Sequence, residues 1–215
     1  MSQQLFEAMT QSVIEGEVEE AERLAQLVLA EGIDPLEAIN RGFIVGLDQV
    51  GEQFGCGNLF LPDMVQAAEA MKTAVAILEP EIARRGVTRQ ILGKIVIGTV
   101  EGDIHDIGKT LVATMLAASG FEVHDLGVNV PIAKLIQKAV EVEADIIAVS
   151  ALLTTTMVKQ KALIGELEAR DLHSRLKVMI GGAPVTPAWA ESIGADGYSE
   201  DAISAVALAK RLVGA

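Results

Sequence analysis

The sequence predicts two domains, a helical bundle followed by an α/β domain built on a parallel sheet, because its hydrophobic pattern changes once along the chain. Up to about residue 85, apolar residues recur at helical spacing, as Leu5, Met9 and Val13 do. From residue 93 onward, short apolar runs of strand type alternate with helical stretches, which is typical of a doubly wound parallel sheet. We therefore expect domains at 1–88 and 91–215, joined by a linker within ARRGVTRQILG.

The first domain contains signals for about four helices. The segment EGIDPLEAIN combines a helix stop with a new start at Asp34-Pro35. A second break falls at FGCGNLFLP, and a long helix is expected from about Pro62 to Arg84. These helices predict a small four-helix bundle.

The second domain contains five candidate strands. KIVIGTV, DIIAVSALL and KVMIGG are continuous apolar runs of the kind found in buried parallel strands, while FEVHDLG and ADGYS are weaker candidates. Helices are expected near 108–119, 132–142, 156–169 and 201–213. Five such strands fit the flavodoxin-like (Rossmann-like) order, in which a ligand lies beyond the carboxyl ends of the strands where the order reverses.

Composition narrows the classes of partner and compartment. Half of the 215 residues are hydrophobic, and 30 acidic residues against 17 basic ones give a formal net charge of −13, which disfavours binding to nucleic acid. The single cysteine, Cys56, excludes an internal disulfide. The first residues lack a secretory signal, and no uncharged apolar stretch approaches the roughly 18 residues of a membrane span. We expect a cytoplasmic protein without membrane contact.

The residues with the clearest chemical potential follow the first strand, in TVEGDIHDIGKTLVATML. Asp103, His105, Asp106 and Gly108 lie within six residues, directly before an apolar helix, and Gly102 allows a tight turn. Imidazole is a frequent metal ligand, and Asp103 is spaced to accept a hydrogen bond from its second nitrogen. Without further context, these residues also fit a simple helix cap with a polar neighbour, in which His105 binds no metal.

The remaining histidines offer no second metal site. His124 and His173 lack such a setting and are expected to be ordinary surface residues. Three scattered histidines and one cysteine do not form a closed zinc site. A metal at His105 would need most of its ligands from another source, such as a tetrapyrrole-like macrocycle.

The run Asp103-Ile104-His105-Asp106-Ile107-Gly108 resembles the Asp-x-His-x-x-Gly signature of cobalamin-binding domains in methionine synthase and in the corrinoid proteins of methyltransferase systems. Two further family marks follow in order, Ser150-Ala151-Leu152 at the end of the third strand and Gly181-Gly182 at the end of the fourth. The resemblance covers nearly the whole chain, from about Leu5 to Ala215. It implies that His105 is the axial cobalt ligand of cobalamin or a related corrinoid, such as methylcobalamin. The dimethylbenzimidazole base leaves cobalt in that family, and the nucleotide tail enters a slot in the sheet.

The same resemblance implies a set of cofactor-binding positions but no catalytic residue. Phe54 and Leu61 match residues of a helical cap over the upper face of the corrin, although they also fit an ordinary bundle core. Thr156 departs from the methionine synthase pattern, which has serine there, and a threonine hydroxyl can make the same hydrogen bond. The implied cofactor contacts are Gly102, Asp103, Ile104, His105, Asp106, Gly108, Ser150, Leu152, Thr154, Thr156, Gly181, Gly182, Ala202, Phe54 and Leu61.

The resemblance implies a carrier that is not a catalyst by itself. Such a protein accepts a methyl group on cobalt from a substrate-specific methyltransferase and gives it to a second methyltransferase, whose acceptor is a thiol or tetrahydrofolate. A corrinoid reductive activase is the third implied partner. Exposure of the methyl group requires the cap to move, and the linker near 86–92 is the expected hinge.

Three alternatives stay open. A cobalamin-dependent sensor or light-responsive regulator uses the same pair of domains, but no basic helix-turn-helix is visible in the sequence. The small subunit of an adenosylcobalamin mutase would not need the helical cap. A flavodoxin-like domain for another nucleotide leaves the three ordered motifs unexplained. The sequence does not distinguish methylamines, methanol, quaternary amines and methoxylated aromatics as methyl donors, nor the lower base of the corrinoid or the oligomeric state.

Overall fold

Residues 2–85 and 91–214 are described by a computed structural model of the chain. The chain divides into two units, Met1–Gln90 and Ile91–Ala215. Most of the expected hinge at 86–92 lies outside the described residues. Within the described ranges, no helix has both the length and the apolar character needed to cross a bilayer.

The first unit is a helical bundle of α1 (Ser2–Ile14), α2 (Val18–Ala30), α3 (Pro35–Ala38), α4 (Ile44–Gly55) and α5 (Leu61–Arg84). In this bundle α1 packs on α4 and α2 packs on α5. Asp34 starts α3 as expected, because its side chain accepts a hydrogen bond from Leu36 N at 3.0 Å and Pro35 occupies the first turn. A π-helical turn, Ile39–Phe43, continues α3 into α4.

Two glycines bring α1 and α4 close together. A Cβ atom on Gly42 would lie 2.8 Å from the sulfur of Met9, and one on Gly46 would lie 2.5 Å from the carbonyl oxygen of Thr10. The hydroxyl of Thr10 donates to Gly42 O at 3.0 Å, which satisfies a carbonyl in the π-helical turn. The bundle therefore relies on small residues at this helix crossing.

The second unit is a five-stranded, all-parallel sheet in the order β2-β1-β3-β4-β5, as the sequence predicted. Its strands are β1 (Lys94–Thr99), β2 (Glu122–Asp125), β3 (Ile146–Ser150), β4 (Lys177–Gly181) and β5 (Gly197–Tyr198). Its helices are α6 (Ile107–Ala118), α7 (Ile132–Glu141), α8 (Thr154–Ala169), α9 (Pro187–Ile193) and α10 (Ala202–Val213).

Apolar layers cover both faces of this sheet. Val96 and Ile147 belong to one buried cluster, whereas Ile95, Ile97 and Ile146 belong to the other. Successive strand residues point to opposite faces, so burial on both faces requires the continuous apolar runs seen in the sequence.

One helix of this unit was not predicted. Pro187–Ile193 forms α9, whose N-terminus is capped by the Thr186 hydroxyl oxygen, which accepts from Trp189 N at 3.2 Å. Its seven residues are too few for a hydrophobic period to stand out. In addition, α8 begins at Thr154, two residues before the expected start.

Candidate functional site

The loop that carries His105 lies at the carboxyl end of β1, between β1 and α6. β1 pairs with β2 on one side and β3 on the other, so the chain order reverses at this strand. Such a reversal opens a crevice at the sheet edge, where ligands of doubly wound folds bind. Gly102 enters the loop with φ +85°, a conformation that favours glycine.

Asp103 is the buried centre of the loop, with 1% of its surface exposed. One carboxylate oxygen accepts from His105 N at 3.1 Å and faces Nδ1 of the same residue at 2.7 Å. The other oxygen accepts from Leu152 N at 2.8 Å and from the Thr156 hydroxyl at 2.7 Å. Burial alone raises the pKa of Asp103, but these hydrogen bonds outweigh it and hold the pKa below its usual range. Asp103 is therefore a carboxylate.

His105 is held at its ring and at its backbone. Because Asp103 is charged and can only accept, Nδ1 carries a hydrogen, and Nε2 on the far side of the ring is the atom that can bind a metal. The His105 carbonyl accepts from the buried hydroxyl of Thr99 at 2.9 Å. The side chain is 49% exposed, and among the described residues none forms a hydrogen bond with Nε2. An oriented imidazole with a free Nε2 has the chemistry of a metal ligand.

Small residues line the neighbouring strand ends. Thr99, Ser150 and Gly181 stand opposite one another across β1, β3 and β4. Gly182 has φ +124°, and a Cβ atom there would lie 1.8 Å from Ala151 O. No larger residue fits this backbone approach, so the ends of β3 and β4 carry almost no side-chain bulk.

Several apolar side chains in the His105 loop and just after β3 are exposed. Ile104 and Ile107, on either side of His105, are 75% and 80% exposed, and Leu152 and Leu153 are also exposed. Exposed apolar side chains near an oriented imidazole fit a broad, mostly apolar cofactor that brings its own metal. The residues present therefore fit a metal-bearing macrocycle.

The structure brings together, at this edge of the second unit, most of the positions predicted to bind a cofactor. Asp106 points elsewhere, since its carboxylate pairs with Lys109 at 2.8 Å, a bond that lowers the pKa of Asp106. Ala202, the first residue of α10, is buried, and Thr154, the first of α8, is exposed. The positions at the strand ends and in the loops and helix starts beside them are Gly102, Asp103, Ile104, His105, Asp106, Gly108, Ser150, Leu152, Thr154, Thr156, Gly181, Gly182 and Ala202.

Phe54 and Leu61 lie in the helical unit. Phe54 is near the end of α4 and is partly buried, while Leu61 opens α5 and is 39% exposed. Neither belongs to the buried core of the bundle. The ordinary explanation for an apolar residue in a bundle, burial in its core, therefore does not account for them.

Several residues that hold the loop were not predicted. Asn129 accepts from Gly102 N at 2.8 Å and donates its own N–H to Asp103 O at 2.9 Å. Lys109 is buried and bonds both Asp106 and Asp125. The three-residue spacing of Asp106 and Lys109 on a helix start was an available signal. Thr99 and Asn129 left no comparable pattern in the sequence.

The other two histidines are partly buried and paired, so the expectation of ordinary surface residues was wrong. His124 Nε2 lies 2.8 Å from a Glu122 oxygen, and His173 Nε2 lies 3.1 Å from an Asp196 oxygen. Across 2–85 and 91–214, no three His, Cys, Asp or Glu side chains are grouped so that they could hold a metal ion.

Comparisons with known proteins agree with the site. Two family models, each described as a B12 binding domain, match residues 93–207 and 5–79. The chain is 45% identical to a corrinoid protein of Desulfitobacterium hafniense strain Y51 over 215 residues, which is 100% of both chains. It is 51% identical over 191 residues to the dimethylamine corrinoid protein of Methanosarcina barkeri, covering 88% of this chain and 89% of that one.

A solved structure extends the comparison. The methanol:cobalamin methyltransferase complex of Methanosarcina barkeri contains a chain that matches with a TM-score of 0.87 and 27% identity, covering 100% of this chain and 81% of that chain. Cobalamin or a related corrinoid, the cofactor that the sequence predicted, is the cofactor of the matched domains. The chain therefore belongs to the family of corrinoid proteins built on B12-binding domains.

Proposed function

We propose that this chain is a methyl carrier, which receives a methyl group on corrinoid cobalt from a substrate-specific methyltransferase and gives it to a second methyltransferase. The observation that carries the proposal is the His105 imidazole, fixed by a buried carboxylate in a loop with exposed apolar residues. When bound, the corrinoid supplies a cobalt centre that can both accept and release a methyl group.

Each residue has a defined task in this proposal. His105 would hold the cobalt through Nε2, and Asp103 fixes the orientation of the ring. Thr156 donates to Asp103 at 2.7 Å and keeps that carboxylate charged. Phe54 and Leu61 would cover the upper face of the corrin. The nucleotide tail would lie against Ser150, Leu152, Thr154, Gly181, Gly182 and Ala202.

The relatives support methyltransferases as partners. The dimethylamine corrinoid protein and the chain in the methanol:cobalamin methyltransferase complex are named for methylated C1 substrates. Because identity is higher to the former, a methylamine is the donor to test first. A substrate-specific methyltransferase, an acceptor methyltransferase and a corrinoid reductive activase are the expected partners.

Loading with cofactor tests the proposal. The full chain is incubated with hydroxocobalamin, desalted and examined by absorbance, beside His105→Ala and the control His124→Ala, which alters a histidine away from the loop. We expect wild type and His124→Ala to retain corrinoid with the same histidine-ligated spectrum, and His105→Ala to lose that spectrum. A folded wild type that emerges colourless would contradict the proposal.

A methyl-transfer assay then tests the carrier role itself. Loaded, reductively activated protein is mixed with a methylamine methyltransferase and each of mono-, di- and trimethylamine. We expect the absorbance of the bound cofactor to change with one amine and to revert when an acceptor methyltransferase and a thiol are added. Methanol serves as the comparison donor, and a cofactor that never cycles with any donor would exclude the carrier role.

A further inference from the structure

Gln160 is a completely buried polar side chain on α8, with 0% exposure. Its amide nitrogen donates to Gly181 O at 3.1 Å and to Val149 O at 3.3 Å. Its amide oxygen accepts from the indole nitrogen of Trp189, on α9, at 3.1 Å. Both amide hydrogens and the amide oxygen are therefore used, which fixes the orientation of the side chain.

The two carbonyls that Gln160 holds belong to the ends of β3 and β4. Ala151 N donates to Gly181 O at 3.2 Å just after β3 ends, and Gly182 then turns away with φ +124°. Gln160 thus joins the two strands beside the last of their mutual hydrogen bonds. A change in this side chain would alter the separation of the strand ends, where Gly181 and Gly182 form a wall without side chains.

The same helix also holds the histidine loop. Thr156 lies one turn before Gln160, on the same helix face, and donates to Asp103 at 2.7 Å. Lys159, between them, pairs with Glu101 at 2.9 Å. The first two turns of α8 therefore set the position of the His105 loop relative to Gly181 and Gly182.

We infer that Gln160 is a positioning residue that fixes the arrangement of the ends of β3 and β4 and so determines selectivity for corrinoids with a nucleotide tail. The inference rests on the proposed corrinoid site. Gln160 touches neither His105 nor Asp103, so its effect differs from that of the ligand residues. Loss of its amide should weaken recognition of the tail while leaving ligation by His105 intact. Trp189 acts through Gln160, because its indole N–H orients the amide.

Two corrinoids separate these effects. Hydroxocobalamin carries the nucleotide tail and diaquacobinamide lacks it, and the dissociation constant of each is measured by absorbance titration of the full-length protein. The variants are Gln160→Met, which keeps the volume but removes the amide, and the milder Trp189→Phe. Gln137→Met, on the exposed side of α7, is the matched control.

We expect Gln160→Met to weaken hydroxocobalamin binding about tenfold, because displaced strand ends would lose contact with the tail worth about one hydrogen bond, with diaquacobinamide binding changed less than about twofold. Trp189→Phe should change the ratio of the two dissociation constants, hydroxocobalamin to diaquacobinamide, in the same direction by a smaller factor. This variant provides the test if Gln160→Met does not fold. Gln137→Met should match wild type. Equal weakening for both corrinoids, or no change for either, would overturn the inference and leave the carrier function standing. A wild type that binds neither corrinoid would instead overturn the proposed function and this inference with it.

Discussion

At the residue scale, the Thr156 hydroxyl stabilises the buried, charged carboxylate of Asp103. Its hydroxyl lies 2.7 Å from an Asp103 oxygen, inside a buried network. Thr156→Val keeps the shape and removes this donor, so we expect the free energy of unfolding to fall by about 1.5–3 kcal/mol, the range for hydrogen bonds to charged groups. Urea denaturation of the cofactor-free protein measures the change.

Thr156→Ser is the control for this prediction, since it keeps the hydroxyl and loses one methyl group. It should stay within about 1 kcal/mol of wild type. If Thr156→Val and Thr156→Ser were equally stable, the hydrogen bond would contribute nothing measurable to the fold.

Two glycines of the site serve different needs, and alanine substitution separates them. At Gly182 a Cβ atom would meet Ala151 O at 1.8 Å, so we expect Gly182→Ala to unfold the protein or to cost more than about 3 kcal/mol. At Gly108, in the first turn of α6, a Cβ atom meets nothing within 4 Å. Gly108→Ala should therefore raise stability by about 0.5–1 kcal/mol through helix propensity.

The fold thus gives no reason for glycine at position 108, whereas close approach of a cofactor in the proposed site would give one. We expect Gly108→Ala to melt at or above the wild-type temperature without cofactor, yet to lose corrinoid on desalting. Thermal melts and absorbance of the desalted protein measure the two properties. Retention of corrinoid equal to wild type would contradict this reason for the glycine.

How much of the site the sequence could predict depended on the distance between partners in the chain. Asp103 and His105 are two residues apart in one loop, so their contact followed from local geometry. The bonds from Thr156 to Asp103 and from Gln160 to Gly181 join segments that lie 53 and 21 residues apart. The family pattern indicated the first of these, whereas nothing in local spacing indicated the second.

At the element scale, the strands were predicted because both faces of the sheet are buried. A strand covered on both sides must be apolar throughout, and Ile95, Val96 and Ile97 show that pattern. Two short elements were not predicted from the sequence, since α9 has seven residues and the π-helical turn Ile39–Phe43 has five. Their formation depends on a cap and on packing against a neighbouring helix, which a hydrophobic period does not reveal.

Asp196 ties the start of β4 to the segment before β5, and this link makes stability depend on pH. Its carboxylate accepts from Val178 N at 2.8 Å, from Lys177 Nζ at 2.9 Å and from His173 at 3.1 Å. Burial alone raises the pKa of Asp196, but these partners outweigh it and lower the pKa. The stabilisation is complete above the unfolded pKa of about 3.9 and is lost as pH falls through the lower folded pKa.

We therefore expect the free energy of unfolding to decrease as pH falls from about 5 to 3, with a smaller slope in Asp196→Asn. Urea titrations at several pH values measure that slope. Exposed Glu191, on α9, provides the control Glu191→Gln, which should leave the slope unchanged. An unaltered slope in Asp196→Asn would show that the carboxylate is not linked to folding.

At the scale of the whole molecule, the second unit contains its own cores and all the residues that orient His105. The two buried clusters on the faces of its sheet consist only of residues from Leu92 to Val213. Thr99, Asp103 and Thr156 also belong to this unit. Because a domain with its own core can fold alone, we expect the fragment Ile91–Ala215 to unfold cooperatively in urea.

The same fragment should retain hydroxocobalamin through His105, since the ligand, its carboxylate and the strand ends are all present. Absorbance after desalting measures retention, with His105→Ala in the fragment as the control. Phe54 and Leu61 are missing from the fragment, so the bound cofactor should react faster with an added thiol than it does in the full chain, if these residues cover it. A folded fragment that retains no corrinoid, beside a full chain that does, would show that the helical unit supplies part of the binding site.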